Sequence, residues 1–204
     1  MTTILIATTN AGKRREVLSV LSGLPLEFCS LEDFPDIPAP EEIGATFEEN
    51  ALLKANYYAK ATNLPCLADD SGLEVDALGG APGVHSARFA GAKATDRENN
   101  SMLLSHLVSL PLERRVARYC CVIVFATPDR IVATAAGAVE GLMTDSPLGS
   151  GGFGYDPHFL LPKLGLTMAE LSLEQKNQIS HRGQALRSIR AKLERWCGGA
   201  EGVG

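Results

Sequence analysis

A polar loop near the start of the chain has the residue types that bind phosphate. It follows an apolar run at residues 4–7, which predicts a buried strand, and precedes Val17 and Leu21, which predict a helix. The start of a helix presents unpaired N–H groups and a positive dipole end to an anion, and Lys13 adds a full charge. A plain turn is the alternative interpretation. The predicted phosphate-binding residues are Thr8, Thr9, Asn10, Ala11, Gly12 and Lys13.

Two adjacent acids, Asp69 and Asp70, follow a second short apolar run and precede Ser71. Neighbouring side chains on an extended chain point to opposite faces, so at most one of these carboxylates faces a given site. An acid pair in a turn often has only a structural role. Here the segment that follows is rich in glycine, which favours backbone held close to a ligand. The glycines are Gly72, Gly79, Gly80, Gly83 and Gly91.

A second acid pair, Glu41 and Glu42, lies just before a predicted helix. A carboxylate at this position would supply a second oxygen ligand to a hard divalent cation. Mg²⁺ takes few protein carboxylates and completes its shell with water and substrate phosphates. A solvated acidic turn is the alternative interpretation.

An aromatic ring, Phe153, stands among glycines in the segment GSGGFGYDP. Glycines cannot shield a ring, so Phe153 is a candidate stacking surface for a base, and Asp156 would accept from a ring N–H. A role for Phe153 in the core is the alternative. His181 and Arg182 at a predicted helix start, with Lys176 before them, are donors suited to an oxygen or a phosphate, or to surface capping.

Helix signals show which elements position these residues. Thr46 and Glu49 fit a capping box at the start of one helix, and a second box begins at Thr95. A 3.6-residue apolar repeat predicts a helix that begins after Ser180 and ends at Gly198. These helices follow the opening strand and loop described above.

Strand signals complete an α/β pattern. Apolar runs at residues 120–126 and 131–139, joined by a short polar turn, predict two antiparallel strands. No internal repeat or composition break divides the chain, which predicts a single α/β domain over residues 1–197. Residues 198–204 are mostly glycine and predict a flexible tail.

Charge, hydropathy and cysteine spacing exclude several classes of protein. A formal net charge of −5 argues against binding along a nucleic acid, which needs clustered Lys and Arg. Five cysteines without a C-x-x-C pair argue against a disulfide framework or a zinc site and favour a reducing cytoplasm. No apolar run approaches the roughly 20 residues that cross a bilayer. Ala7 and Arg14 break the Walker pattern, so kinase and GTPase functions lose support.

Five blocks of the sequence carry most of these candidate residues. The blocks are TTNAGK, FEENALLKA, ADDSGLEVDALGGAPGVHSARFAG, GSGGFGYDP and ISHRGQAL. In this order they closely resemble the inosine triphosphate pyrophosphatase family, and the likeness runs from about residue 4 to residue 186. The departures are Thr9, where many relatives have Gly, and His85, where Tyr is common.

The resemblance implies hydrolysis of a purine nucleoside triphosphate between the α and β phosphates, which gives a monophosphate and pyrophosphate. It implies that Asp70 is the general base and a ligand of Mg²⁺, that Glu41 is a second ligand, and that Mn²⁺ is an alternative metal. It also implies that residues 8–13, Lys54 on the polar face of its helix, and Ser71 contact the triphosphate. Cations placed around the leaving pyrophosphate lower the barrier, because negative charge develops there.

The resemblance also implies a base pocket selective for 6-oxo purines. A 6-oxo group accepts from His181 or Arg182, whereas adenine presents an amino donor there, and facing donors leave buried groups unpaired. Guanine also carries a 6-oxo group, so this contact does not reject GTP. The implied pocket residues are Phe153, which stacks on the purine, Gly154, Tyr155, Asp156 and Lys176.

For the fold, the resemblance implies an elongated mixed β-sheet with flanking helices and two lobes around a deep active-site cleft. It implies a homodimer, and neither a nucleic acid nor a membrane is expected as a partner. The substrate class predicts a cytoplasmic enzyme that removes ITP, dITP and XTP from the nucleotide pool and so prevents misincorporation into DNA and RNA.

Two rival functions remain open from the sequence. A Maf-type nucleotide pyrophosphatase shares an opening strand, loop and helix but prefers pyrimidine or modified nucleotides, and the FGYD and SHRG blocks argue against it. A nucleotide sensor without turnover would keep the phosphate loop and base pocket. A sensor would not need Glu41 and Asp70 together, and both are present.

Overall fold

A computed structural model of the chain describes residues 2–199. Most of the predicted tail, residues 200–204, lies outside the described residues. Within residues 2–199 no helix is both long enough and apolar enough to span a bilayer.

Helices and strands mix along the whole described chain. The α-helices are α1 (Ala11–Leu21), α2 (Phe47–Thr62), α3 (Asp96–Leu107), α4 (Leu173–Ile179) and α5 (His181–Cys197). The β-strands are β1 (Thr2–Ile6), β2 (Leu26–Ser30), β3 (Cys66–Val75), β4 (Val116–Ala126), β5 (Ile131–Met143), β6 (Phe159–Leu161) and β7 (Leu166–Thr167). The predicted opening strand, loop and helix are confirmed as β1 and α1.

The seven strands form one mixed sheet in the order β2-β1-β3-β4-β5-β6-β7. β1 pairs in parallel with β2 and β3, whereas β6 pairs antiparallel with β5 and β7. β4 and β5 are neighbours joined by residues 127–130, a connection too short for parallel pairing. The predicted mixed sheet with flanking helices is confirmed, and both hairpin strands are longer than predicted.

The described chain divides into two compact units. Unit 1 contains residues 2–70, Cys121–Gly137 and residues 182–199, and unit 2 contains Ser71–Cys120 and Ala138–His181. One boundary falls between Asp70 and Ser71, and another follows His181, so neighbouring candidate residues belong to different units. The single domain over residues 1–197 stays a prediction.

In unit 1, β1 is buried on both faces, as its continuous apolar run predicts. Ile4 and Ile6 lie in one apolar cluster with side chains of α1 and α5. Leu5 and Ala7 lie in another cluster with the alanines of α2. Successive side chains of a strand face opposite sides, which explains this division. From α5 the first cluster takes Ala185, Leu186, Ile189 and Leu193, the repeat predicted from the sequence.

Unit 2 has its own core, which contains three aromatic rings. Tyr119, Tyr155 and Phe159 lie in one apolar cluster with Leu103 and Leu107 of α3. The rings of Tyr119 and Phe159 pack with their centroids 4.6 Å apart. The core therefore fixes α3 and the segment before β6 against the same group of side chains.

The predicted capping boxes form. Thr46 Oγ1 accepts from the Glu49 N–H at 3.1 Å, and Glu49 Oε2 accepts from the Thr46 N–H at 3.3 Å. The box that begins at Thr95 closes in the same way at the start of α3. These caps set where α2 and α3 begin.

β3 runs through the acid pair instead of ending before it. The strand continues to Val75, so both acids lie on extended chain, as the argument from opposite faces assumes, and not in a turn. Both acids are buried, each with 6% of its surface exposed. A buried charge needs a partner of opposite sign, and each of these carboxylates has one.

Candidate active site

The polar loop between β1 and α1 has the hydrogen bonds of a helix start. Asn10 caps α1, since its Oδ1 accepts from the Lys13 N–H at 2.9 Å. Thr8 Oγ1 accepts from the Asn10 N–H at 3.2 Å. Thr9, Asn10 and Ala11 are exposed. The first N–H groups of a helix have no intrahelical partner, so the loop keeps the donors on which the phosphate-binding prediction depends.

Asp69 joins this loop to a buried row of alternating charges within unit 1. Lys13 Nζ lies 3.0 Å from Asp69 Oδ2. Arg182 donates from Nε to the same Asp69 oxygen at 3.2 Å and from Nη1 to Glu16 Oε2 at 2.5 Å. The side chains of Asp69, Arg182 and Glu16 are at most 5% exposed. The row therefore holds the side chain of Lys13 at the phosphate loop.

The charges of this row hold each other ionised. Burial raises the pKa of Asp69, but the Lys13 and Arg182 cations outweigh it and hold that pKa well below the usual range. Burial lowers the pKa of Arg182, but Asp69 and Glu16 outweigh it and hold that pKa above its usual value. Arg182 is predicted to contact a 6-oxo group, yet its bonds described here go to Glu16 and Asp69. That contact stays a prediction.

Asp70 faces a different group of unit 1 residues, on α2. Lys54 Nζ donates to Asp70 Oδ1 at 2.8 Å, and Asn50 Nδ2 donates to Asp70 Oδ2 at 3.4 Å. Lys54 is only 8% exposed, because the polar face of α2 on which it was predicted to lie faces Asp70. The two acids of β3 thus serve separate groups, as expected of neighbours on a strand.

Burial and pairing act against each other at Asp70 and Lys54. Burial raises the pKa of Asp70 above its usual value, and the Lys54 ammonium only partly offsets this. Burial lowers the pKa of Lys54, but the Asp70 and Asp69 carboxylates outweigh it and raise that pKa above its usual value. Lys54 therefore carries its charge at neutral pH.

Of the second acid pair, Glu42 shares the Lys54 ammonium with Asp70. Glu42 Oε1 is 3.2 Å from Lys54 Nζ, whereas Glu41 is exposed. Across residues 2–199 no group of three His, Cys, Asp or Glu side chains is arranged to hold a metal ion. Two carboxylates without His or Cys suit a hard cation that brings water and substrate phosphates as its other ligands. Asp70 and a glutamate of residues 41–42 have this donor type, and a Mg²⁺ site here stays a prediction.

In unit 2, Asp156 connects three candidate residues of the base pocket. Its Oδ2 accepts from the Phe153 N–H at 2.9 Å and from Lys176 Nζ at 2.5 Å. The Lys176 ammonium lies 4.6 Å from the centre of the Phe153 ring. Phe153 is half-buried, while Asp156 and Lys176 are buried. The structure thus brings the predicted aromatic, acid and lysine together on one side of the loop.

His181 lies beside the same group through Tyr119. The His181 and Tyr119 rings stack with centroids 4.6 Å apart and planes 10° apart. Burial and the neighbouring Asp156 carboxylate raise the pKa of Tyr119 well above its usual value, so the phenol stays neutral. Tyr155 is buried and donates its hydroxyl to the Ser86 carbonyl at 2.8 Å. Its side chain therefore anchors the loop.

A pocket of about 630 Å³ lies between the Phe153 loop and α3. It is lined by α3 residues that include Asp96, Arg97 and Asn100 and by loop residues that include Phe153 and Gly154. Asp156, Lys176 and His181 do not line it. The loop thus has this open space on the side of α3.

Sequence reasoning missed three residues of these groups. Glu16 and Asn50 contact predicted residues through ion pairs or hydrogen bonds, and Tyr119 stacks on His181. Asn50 lies four residues before Lys54 on α2, which is the spacing of helical neighbours and a usable signal. Glu16 and Tyr119 are distant in sequence from Arg182 and His181, so spacing carries no signal for these two contacts.

Residues 4–192, nearly the whole chain, match the sequence model of the Ham1 family. The chain belongs to the Ham1 family. A relative from Geobacter sulfurreducens, named dITP/XTP pyrophosphatase, is 54% identical over 95% of this chain and 97% of its own length. A protein of the same name from Thermus thermophilus is 53% identical over 91% of this chain and 89% of its own length. The family resemblance predicted from the sequence is confirmed.

Solved structures of Ham1 proteins have the same fold. The HAM1 protein of Coxiella burnetii matches with a TM-score of 0.85 and 42% identity, over 95% of this chain and 98% of that one. The Ham1 protein of Staphylococcus aureus matches with a TM-score of 0.83 and 44% identity, over the same shares of the two chains. The mixed sheet with flanking helices is therefore a property of the Ham1 family.

Proposed function

We propose that this chain hydrolyses the non-canonical purine nucleoside triphosphates ITP, dITP and XTP to the monophosphate and pyrophosphate. The observation that carries the proposal is the buried Asp70 carboxylate, paired with Lys54 and Asn50 on α2. A carboxylate placed in this way has the residue type of a general base for an attacking water. The names of the Geobacter and Thermus relatives supply the substrate class.

Most of the residues that bind the triphosphate carry positive charge or helix N–H donors and belong to unit 1. The loop of residues 8–13 provides helix N–H donors, and Lys13 provides a cation that Asp69 holds in place. Lys54 is a further phosphate contact, and Ser71, next to Asp70 in β3, is another. Because the phosphates are anionic, Lys54 exchanges its bond to Asp70 for one to phosphate oxygen when substrate enters.

A divalent cation belongs to the reaction. Asp70 and Glu41 would hold it, and Glu42 is a second candidate from the same segment because it already lies beside Lys54. When bound, Mg²⁺ supplies charge neutralisation for the leaving pyrophosphate, and Mn²⁺ is an alternative. The all-oxygen donor set supports this choice of metal.

The purine is bound by unit 2 residues. Phe153 stacks on the base, and Asp156 and Lys176 line the pocket with the backbone of Gly154 and Tyr155. His181 is the first candidate donor to the 6-oxo group, because Arg182 already bonds Glu16 and Asp69. A 6-oxo acceptor satisfies such a donor, whereas the amino group of adenine leaves it unpaired.

The biological role follows from the substrate class. Removing ITP, dITP and XTP would keep these nucleotides out of DNA and RNA. We place the enzyme in the cytoplasm because its five cysteines are all free in the described residues. A homodimer is part of the proposal and comes from the family resemblance alone.

A substitution at Asp70 separates an enzyme from a nucleotide sensor. Asp70→Asn keeps the size of the side chain and removes its ability to take a proton, so kcat for ITP should fall by at least about 100-fold. ITP binding, measured by calorimetry in the presence of Ca²⁺, should remain. A sensor has no rate to lose, so a wild-type chain that binds ITP without turnover would contradict the proposal.

A further inference from the structure

Gly154, the residue after the Phe153 ring, has both of its backbone polar groups bound by side chains of α3. Asp96 Oδ2 accepts from the Gly154 N–H at 2.7 Å. Asn100 Nδ2 donates to the Gly154 carbonyl at 2.8 Å. Asp96 and Asn100 are four residues apart, so they lie on the same face of α3.

Asn100 is itself held rigidly. Its Nδ2 also donates to the Asp96 carbonyl at 2.8 Å, and the residue is 8% exposed. Its Oδ1 has no hydrogen-bond partner among residues 2–199. A buried acceptor without a partner is unfavourable, and leucine would fill a similar volume without one. Helix stability alone therefore does not account for an amide at this position, whereas its bond to Gly154 does.

The conformation of Gly154 explains why hydrogen bonds to its backbone are needed. Gly154 has a φ of 62°, in the left-handed region that glycine adopts readily. A Cβ there would meet no atom within 4 Å, so glycine serves the backbone turn and not close packing. Glycine is also the most flexible residue, so a left-handed turn of this kind keeps one geometry only when its polar groups are held.

Packing holds the loop at Tyr155, whose side chain lies in the same apolar cluster as residues of α3, but it does not hold Gly154. The pocket of about 630 Å³ is lined by Asp96, Asn100, Phe153 and Gly154, so open space borders this part of the loop. The two bonds to Gly154 lie at the wall of that pocket. The position of Gly154 therefore depends on hydrogen bonds from Asp96 and Asn100.

We propose that Asp96 and Asn100 are positioning residues, which hold Gly154 and thereby set the Phe153 ring in the place where it stacks on the nucleotide base. The role of the ring rests on the proposed function. Neither Asp96 nor Asn100 needs to contact the substrate, because each acts through the backbone of Gly154. Their loss should weaken substrate binding and leave the hydrolytic step largely intact.

Asn99 provides a matched control on the same helix. It is buried, its Oδ1 accepts from the Ala90 N–H at 2.8 Å, and its Nδ2 donates to the Ala87 carbonyl at 3.2 Å. Asn99 thus ties α3 to a loop as Asn100 does, but to a different one. If Asn100→Leu acted only by loosening α3, Asn99→Leu would have the same effect.

Steady-state kinetics with ITP, XTP and GTP are the first test. Asn100→Leu should raise KM by about tenfold and change kcat by less than about twofold, whereas Asn99→Leu should change neither. Stacking does not depend on which purine is bound, so the ratio of kcat/KM values between ITP and GTP should stay the same. Asp96→Ala should also raise KM. Asp96→Asn keeps an acceptor for the Gly154 N–H, so its KM should stay close to the wild-type value.

A fluorescence measurement tests whether Asn100 holds the loop, and it does not depend on turnover. In a Phe153→Trp, Trp196→Phe chain the single tryptophan reports on the loop. Adding Asn100→Leu should increase acrylamide quenching of that tryptophan, and adding Asn99→Leu should not. Equal quenching in all three chains would overturn the inference whether or not ITP is hydrolysed.

The two proposals fail separately. If the wild-type chain has no turnover but Asn100→Leu increases acrylamide quenching of the single tryptophan, the proposed function fails and the positioning role of Asn100 stands. The opposite outcome has three parts: the wild-type chain hydrolyses ITP, Asn100→Leu and Asn99→Leu lower the melting temperature equally, and neither changes KM. The positioning role of Asn100 is then wrong, and the proposed function stands.

Discussion

Each acid of the β3 pair gains its role from the cation that it faces. Asp69 is held ionised by Lys13 and Arg182, and it supports the phosphate loop. Asp70 faces Lys54, and burial raises its pKa. Two neighbouring side chains of one type thus differ because a strand turns them toward different elements. In the proposed function, Asp70 is the one of the two that acts as the general base.

The buried row that contains Arg182 gives a stability prediction. Glu16→Ala removes one of the two carboxylates that bond the buried guanidinium and leaves its charge only partly compensated. We expect the free energy of unfolding to fall by about 3 kcal/mol, measured by urea denaturation. Glu32→Ala breaks an exposed pair with Arg14 and should have a much smaller effect. Equal losses in the two variants would contradict this account.

Candidate residues were predictable at this scale where the chemistry lies within a short block. The phosphate loop, Asp70 and Phe153 stand out because unusual residue types are adjacent in sequence. The burial of Lys54 was not predictable, because its partner Asp70 is 16 residues away on another element. Tyr119 was missed for a similar reason, since its stacking partner His181 is distant in sequence and lies on another element.

At the scale of elements, α2 is the helix that places Asn50 and Lys54 beside Asp70. It packs on the sheet through small residues, and its first turn is fixed by the capping box. The alanines that contact the sheet are Ala51, Ala55 and Ala59. The start of α2 therefore sets where Asn50 and Lys54 lie relative to the Asp70 carboxylate.

The cap of α2 yields a prediction at the same scale. Thr46→Ala removes the side-chain acceptor of the Glu49 N–H and should lower stability by about 1 kcal/mol. The melting temperature should fall by about 2–4 °C, measured by calorimetry. Thr46→Ser keeps the hydroxyl and should stay close to wild type. A Thr46→Ser chain as unstable as Thr46→Ala would show that the methyl group, and not the cap, is responsible.

The sequence predicted most elements because their signals are local. Capping boxes, the apolar repeat of α5 and the β-branched runs of β4 and β5 all lie within the element that they specify. The continuation of β3 through the acid pair was not predictable, because two acids inside a buried strand depend on cations from α1, α2 and α5. α4 was missed, although Ser172 and Gln175 form a capping box at its start.

At the scale of the whole molecule, the two compact units carry different parts of the proposed chemistry. Unit 1 holds the phosphate loop, Asp70 and the buried charges, and unit 2 holds Phe153 with Asp156 and Lys176. Each unit has its own apolar core, so each polar group is supported by its own packing. The proposed function therefore assigns reaction type and base selectivity to different units, and one assay of several nucleotides measures both.

The most direct measurement is the release of pyrophosphate and orthophosphate from ITP, XTP, GTP, ATP and dTTP, with Mg²⁺ and with a chelator. We expect Mg²⁺-dependent pyrophosphate from ITP and XTP, and little from ATP, because its amino group leaves the base-pocket donor unpaired. A preference for dTTP would indicate a Maf-type enzyme instead. Hydrolysis of ATP and GTP as efficient as that of ITP, or orthophosphate as the product, would contradict the account.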